Sequence, residues 1–295
     1  MSLALTSGQM PLSARWRSRR RWATVAGTGL GIVLLIWTLL PVYNMFLMAL
    51  NSDTPEFSGA IWPDEWDFSS FASVFTEDYW MLDHFWYRFG NSVYMAVATM
   101  LLTVLLGSLA SFSLGRMQLR RGWMITDVAL LTYVLPSAFL VLPFNHIMHQ
   151  YGLADSLWSV IAAMVAFATP YAILIFHQYG KLIPVELDES AKIDGATPWQ
   201  IYWRLYMPLM APALVGVGIY ALMLAWNEYI YQLTLITSDR NTTVAVLLEQ
   251  FFDTDEAPWN YMMAISIIYS LPPIAIYFAV RRYMVAGLTL GGIKG

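Results

Sequence analysis

The sequence LWSVIAAMVAFATPYAILIFH, residues 157–177, contains no Asp, Glu, Lys or Arg. About 20 consecutive apolar residues are enough for an α-helix to cross the hydrocarbon core of a bilayer. A backbone in hydrocarbon must satisfy its own hydrogen bonds, and a helix does so within one segment. The stretch therefore predicts a membrane-spanning helix.

The rest of the chain has the same apolar character. It is 58% hydrophobic and 12% charged, with a mean hydropathy of +0.53, whereas soluble domains carry about 25% charged residues. Five more stretches have spanning length: 23–49, 91–114, 124–147, 209–236 and 261–280. The sequence thus predicts an all-α membrane protein with six transmembrane helices, a transmembrane domain over 23–280 and terminal tails over 1–22 and 281–295.

The distribution of basic residues predicts the orientation. Five arginines between Arg15 and Arg21 precede the first span, as in a signal peptide, but the apolar run is too long and no small-residue cleavage site follows Leu40. With the N-terminus inside, every Lys and Arg except Arg88 and Arg240 falls on the cytoplasmic side. Because basic residues stay cytoplasmic, we expect an uncleaved first span and two cytoplasmic termini.

The segment between spans four and five, PVELDESAKIDGATPWQIYWRLYMP (184–208), has the signals of two short helices. Pro184 fits a first helical turn, and the acids after it favour a helix N-terminus. Gly195 can end this helix in a left-handed conformation. Thr197 can cap a second helix, which Pro208 would end near the next span.

A simple connector between spans needs only a few polar residues. Two capped helices around a glycine exceed that need. A short exposed helix with small residues, here Ser190, Ala191 and Ala196, can enter a cleft of another protein. The loop is therefore predicted to dock a partner.

Three motifs resemble the permeases of type I ATP-binding-cassette sugar importers of the maltose type. They are Glu189-Ser190-Ala191 with Asp194-Gly195-Ala196 and Pro208, then Ala225-Trp226-Asn227-Glu228-Tyr229, and the ending GLTLGGIKG (287–295). They occur in the family's order, and the resemblance covers nearly the whole chain. Ser190 in place of an alanine, and Met207 before the proline, are mild departures.

The resemblance implies a permease of a bacterial inner membrane that works with other proteins. The implied partners are a second homologous permease subunit, a dimer of cassette ATPases and a periplasmic or lipid-tethered sugar-binding protein. It further implies that the loop residues Glu189 to Ala196 seat in a cleft of the ATPase. The tail residues Gly291, Gly292 and Lys294 would reach the ATPase interface.

The chain has no motif for catalysis of its own. It lacks the G-x-x-x-x-G-K-[ST] phosphate loop and the G-x-S-x-G nucleophile elbow. It has no cysteine and four scattered histidines. We expect a non-enzymatic subunit without metal or cofactor, and with membrane lipid rather than nucleic acid around it.

Trp226, Asn227 and Glu228 offer an aromatic face, an amide and a carboxylate, which are the groups that bind sugars. Consecutive helical residues point about 100° apart, so the three cannot all face one pocket. Polar side chains within spans also bond neighbouring helices. Both a substrate path and a structural role therefore stay open.

Two further questions stay open at the level of sequence. The long aromatic outer segment 51–90 can be a lipid-interface belt or part of a surface for an external partner. A gradient-driven carrier and a membrane scaffold are the alternative functions, although the chain shows no internal repeat of the kind common in such carriers.

Overall fold

The computed structural model describes residues 12–51, 62, 66–117, 122–132, 136–253 and 258–290, and all regular structure in those ranges is helical. This confirms the predicted all-α class. The α-helices are α1 Leu12–Ala49, α2 Ser69–Thr76, α3 Phe85–Arg116, α4 Gly122–Leu131, α5 Val141–Gln150, α6 Leu157–Gly180, α7 Glu186–Ile193, α8 Pro198–Ile201, α9 Met207–Leu209, α10 Ala211–Trp226, α11 Ile230–Leu235, α12 Val244–Gln250 and α13 Trp259–Leu290.

Within the described residues, four helical regions are long and apolar enough to cross a membrane: Trp22–Ala49, Trp80–Arg116, Leu157–Gly180 and Trp259–Arg281. A fifth candidate is the pair Pro198–Leu209 and Ala211–Trp226, which is bent by 80°. The number of six spans and the cytoplasmic termini stay predictions, since 1–11 and 291–295 lie outside the described residues.

Two of the predicted spans are interrupted. The predicted third span, 124–147, is divided between α4 and α5, with a 3₁₀ turn Ser137–Leu140 before α5. The predicted fifth span, 209–236, ends as a helix at Trp226 and resumes as α11. A continuous apolar composition does not reveal such breaks, because hydropathy indicates which solvent a segment favours and not whether its helix is continuous.

The centre of the bundle is the packing of α3 against α6 and α10. One apolar cluster surrounds Phe85, Met95 and Trp226, and a second surrounds Phe112, Phe176 and Tyr202. We call the end of the bundle at Arg116 the inner end and the end at Phe85 the outer end, following the predicted topology.

The outer segment presents aromatic rings around α2. The Trp62, Trp66, Trp80 and Trp86 side chains are all exposed, as either a lipid belt or a partner surface requires. The two interpretations of this segment therefore both stand as predictions.

The closest approach of α3 and α6 is at Gly107. A Cβ atom at this position would lie 2.6 Å from Ala172 Cβ and 3.3 Å from the Phe176 ring. Since real Cβ atoms do not come so close, glycine is the residue that lets these two helices meet.

We predict that Gly107→Ala destabilises the chain by about 1–3 kcal/mol, because the added methyl group pushes α3 away from α6. The thermal unfolding midpoint in detergent, followed by tryptophan fluorescence, measures this loss. Gly90→Ala on the same helix is the matched control, since its Cβ meets nothing within 4 Å and alanine favours the helix. Equal midpoints for the two variants would contradict the close contact.

Candidate functional site

The first loop helix, α7, ends at Ile193, and Gly195 stops it in a left-handed conformation as predicted. Gly195 has φ +81°. Its N–H donates to Lys192 O at 3.0 Å, and the Ala196 N–H donates to Ala191 O at 2.9 Å. This pair of bonds is a Schellman motif, which needs a left-handed residue and therefore favours glycine.

The second loop helix begins with the predicted cap. Thr197 Oγ1 accepts the Gln200 N–H at 3.3 Å, and the Thr197 N–H donates to Gln200 Oε1 at 2.8 Å. With Pro198 in the first turn, this is a complete capping box. The start of the second helix is therefore fixed by local sequence.

Both outer bounds of the loop differ from the prediction. Pro184 lies two residues before α7, which begins at Glu186. Pro208 lies inside α9, and the chain bends at Met210 instead. Between α8 and α9, Tyr202–Tyr206 is π-helical, a conformation that is rare and frequently found at functional sites.

A buried ion pair attaches α7 to the bundle. Arg116 Nη1 lies 3.0 Å from Asp188 Oδ2, and the two side chains are only 8% and 5% exposed. Arg116 Nη2 also donates to Gly180 O at 3.2 Å and to Ile183 O at 2.9 Å. One guanidinium therefore joins the inner end of α3, the end of α6 and the first loop helix.

Two tyrosines attach the second half of the loop to α3. Tyr202 and Ser108 share a hydroxyl hydrogen bond of 2.7 Å, and Tyr206 and Ser111 share one of 3.0 Å. The Phe112 ring meets both tyrosines edge-on, with centroids 5.4 and 5.1 Å away. The loop is thus attached to α3 at Asp188, Tyr202 and Tyr206.

This attachment is not predicted by the sequence. The sequence predicts only that Arg116 is a cytoplasmic charge and that Asp188 is an acid near a helix N-terminus. The two residues are 72 positions apart (188 − 116), and no spacing rule joins residues across two spans. Nothing in the sequence distinguishes Asp188 from the neighbouring acids Glu186 and Glu189.

The predicted docking residues divide into two faces. Glu189, Ser190, Asp194 and Gly195 are exposed. Ala191 and Ala196 are half-buried against the inner apolar cluster, so they pack the loop rather than present it.

Apolar side chains that the prediction left out extend the exposed face. Ile193 is 87% exposed, and Trp199 and Leu187 are exposed as well. These side chains give the exposed part of the loop an apolar component. The tail residues Gly291, Gly292 and Lys294 lie outside the described residues.

The proposed sugar residues lie at the break between α10 and α11. Trp226 is 4% exposed and stacks on Tyr269 with ring centroids 4.5 Å apart. Asn227 is exposed, and its Nδ2 donates to Met223 O at 2.8 Å. Since 227–229 are not helical, the expected 100° rotation between neighbours does not apply to them.

Glu228 has a structural task at this break. It is half-buried, and its Oε1 accepts the Tyr231 N–H at 2.8 Å in the first turn of α11. Two adjacent polar residues therefore lie where the helix is interrupted.

A second organised region lies at the outer end, in residues 237–243, which we call the outer loop. Asp155 Oδ1 accepts the N–H groups of Thr237 and Ser238 and the Ser238 hydroxyl, each at 2.9 Å. Asn241 Nδ2 donates to Asp155 O at 2.6 Å. The backbone N–H groups of Ser238 and Thr237 lower the pKa of Asp155 below its ordinary value.

Residues 104–289 match the family described as binding-protein-dependent transport system inner membrane component. The chain belongs to this family. It is therefore a membrane-spanning permease of the ATP-binding-cassette importers of bacterial inner membranes, the component that does not hydrolyse ATP.

Two relatives resemble this permease over nearly its whole length. The inner membrane ABC transporter permease protein YcjP of Escherichia coli (strain K12) is 30% identical over 269 residues, with 90% of this chain and 95% of that one covered. The trehalose transport system permease protein SugB of Mycobacterium tuberculosis (strain CDC 1551 / Oshkosh) is 30% identical over 261 residues, with 88% and 93% covered.

The fold also agrees with a solved transporter. A chain from the crystal structure of a bacterial ABC transporter involved in the import of the acidic polysaccharide alginate superposes with a TM-score of 0.74. The two chains are 22% identical, and 90% of this permease and 98% of that chain are covered. This confirms the predicted importer-permease fold.

We predict that Arg116→Met destabilises the permease by about 3–5 kcal/mol, because it leaves the Asp188 carboxylate buried without its ion-pair partner. The thermal unfolding midpoint in detergent measures the change. Arg116→Met combined with Asp188→Leu should recover most of it, since no charge then stays buried. A double variant as unstable as the single one would argue against the ion pair.

We predict that the attachment of the outer loop to Asp155 is independent of pH at neutrality and weakens only in acid. A lowered pKa in the folded state means that the stabilisation is fully present above the ordinary value of 3.8 and is lost as pH falls below it. Hydrogen exchange at Thr237 and Ser238, corrected for the intrinsic pH dependence, measures this protection.

Asp155→Asn is the control for the charge, because asparagine tolerates the positive φ of 56° at this position. We expect weaker hydrogen-exchange protection of Thr237 and Ser238 in this variant, and no further decrease of that protection in acid. A wild-type protection that declines between pH 8 and pH 5 would contradict the assignment.

Proposed function

We propose that this permease forms half of the translocation path of an ATP-driven importer for a sugar or sugar derivative, and that segment 184–208 docks a cassette ATPase. The observation that carries the proposal is a loop that is exposed on one face and rigidly attached on the other. A loop that passes force must be held by the bundle, and the Arg116–Asp188 pair and the two Tyr–Ser pairs hold it.

The exposed face gives the proposed ATPase contact its chemistry. Glu189 and Asp194 supply two carboxylates, and Ile193 and Trp199 supply apolar surface. A cleft that accepts this face needs an apolar floor with basic groups at its rim. The tail residues Gly291, Gly292 and Lys294 are proposed to add to the same interface.

The sugar cargo is supported by the names of the relatives. SugB is a trehalose permease, and the 29% identical DasC of Streptomyces coelicolor is a diacetylchitobiose uptake permease. The helix break at 227–229 supports Asn227 and Glu228 as path residues, since transporters build binding sites at interrupted helices. The buried position of Trp226 favours support of that break over direct contact with the solute.

The remaining partners are proposed from the architecture. None of the 18 most apolar consecutive residues within Trp22–Ala49 is buried in the single chain. The surface of α1 is therefore free to pack on a second permease subunit. A related alginate transporter has been solved with a periplasmic protein that holds an alginate pentasaccharide. We expect a periplasmic or lipid-tethered sugar-binding protein to meet the outer end here.

We predict that Gly195→Arg abolishes ATPase association and uptake while the chain still inserts in the membrane. A Cβ atom at Gly195 would meet nothing within 4 Å in the permease itself, whereas the φ of +81° strains any L side chain there, so the effect of bulk on the partner needs a control for that strain. Affinity purification of the chain, with quantification of the co-purified ATPase, measures the loss.

Gly195→Ala is the matched control, because alanine bears the same strain at positive φ but adds only a methyl group. It should keep both association and uptake. Normal association of Gly195→Arg would overturn the docking proposal. Uptake that persists without ATP and collapses with an uncoupler would favour the gradient-driven carrier instead.

A further inference from the structure

The helix α3 is held at both of its ends by polar side chains that reach other segments. We propose that α3 carries displacement of the ATPase-docking loop to the outer loop 237–243, with Arg116 and Asn91 as the positioning residues at its two ends. This inference rests on the proposed docking function of segment 184–208.

The inner attachment is the one described for the docking loop. Arg116 holds Asp188 and the carbonyl groups of Gly180 and Ile183, while Ser108 and Ser111 hold the two tyrosines. All of these contacts come from the last third of α3. A shift of the loop therefore displaces the inner end of α3 with it.

The outer attachment is made by one amide. Asn91 Nδ2 donates to Arg240 O at 2.9 Å and to Thr242 O at 2.9 Å. Asn91 is only 8% exposed, so water competes weakly for these hydrogen bonds. The neighbouring Ser92 Oγ accepts the Val244 N–H at 3.1 Å, which fixes the end of the same loop.

The helix between the two ends is suited to carry a displacement. Asn91 and Arg116 are separated by about 38 Å at 1.5 Å per residue, which exceeds the hydrocarbon core of about 30 Å. Pro41, Pro170 and Pro272 lie inside α1, α6 and α13, whereas α3 has no proline. Prolines are the commonest cause of sharp kinks, so α3 lacks the feature that most often kinks the other long helices.

The outer loop is built to respond as one piece. Asp155 accepts the N–H groups of Thr237 and Ser238, and Asn91 donates to the carbonyl groups of Arg240 and Thr242. Asp239 and Arg240 are exposed. A segment fixed at both ends follows its supports. The outer loop would therefore change position against an external binding protein whenever α3 moves.

The first test measures the coupling. In the complete importer, purified through a tag on this chain, we compare ATP hydrolysis with and without the binding protein. Asn91→Ala should reduce the stimulation by roughly 2- to 30-fold, with unstimulated hydrolysis equal to that of Val97→Ala, an exposed position on the same helix. An unchanged stimulation would overturn the inference.

A second test does not depend on how well Asn91→Ala folds. The chain has no cysteine, so spin labels at Arg204→Cys and Thr237→Cys report the distance between the docking loop and the outer loop. We expect the same distance with and without ATP and vanadate, while the distance from Arg204→Cys to Leu30→Cys in α1 changes. A change in both distances, or in neither, would contradict the role of α3.

The two proposals fail in different ways. Normal assembly and uptake by Gly195→Arg would overturn the docking proposal itself. Loss of function in Gly195→Arg together with unchanged stimulation of ATP hydrolysis in Asn91→Ala would support the docking proposal and overturn only the transmission through α3.

Discussion

The ion pair between Arg116 and Asp188 is the contact on which the inner half of the molecule depends. Two charged groups leave water to form it, and an isolated charge at such a site would be expensive. The cost is offset because Arg116 also satisfies the carbonyl groups of Gly180 and Ile183 at the end of α6. Three elements that are distant in sequence thereby share one fixed geometry, and the orientation of α7 is set by α3.

This geometry explains why the docking loop can be both exposed and rigid. An exposed connector of this length would ordinarily be mobile, since few apolar contacts would hold it. Here the Schellman motif at Gly195 and the capping box at Thr197 fix the two helices locally, and Tyr202 and Tyr206 fix them to the bundle. The surface that we propose to dock the ATPase is therefore preorganised, which would reduce the entropy lost on association.

The outer half of the permease is held together by different contacts. The break after Trp226 frees backbone groups, and Asn227 and Glu228 satisfy part of them. Trp226 itself is stacked on Tyr269 in the core, so the break is anchored to α13. Beyond it, Asp155 and Asn91 hold the outer loop by hydrogen bonds to its backbone, and these side-chain contacts join segments that hydropathy alone treats as unrelated.

The sequence by itself determined what depends on solvent and on local backbone chemistry. Apolar stretches such as 157–177 decided the membrane class, Gly195 and Thr197 decided the ends of the loop helices, and the loop motif pointed to the transporter family. Only the tertiary structure decided which faces the loop presents, because burial of Asp188, Ala191 and Ala196 follows from helices that pack far along the chain. It also decided where the spans break, since a bend at Met210 or an interruption after Trp226 is set by side-chain partners on neighbouring helices and leaves mean hydropathy unchanged.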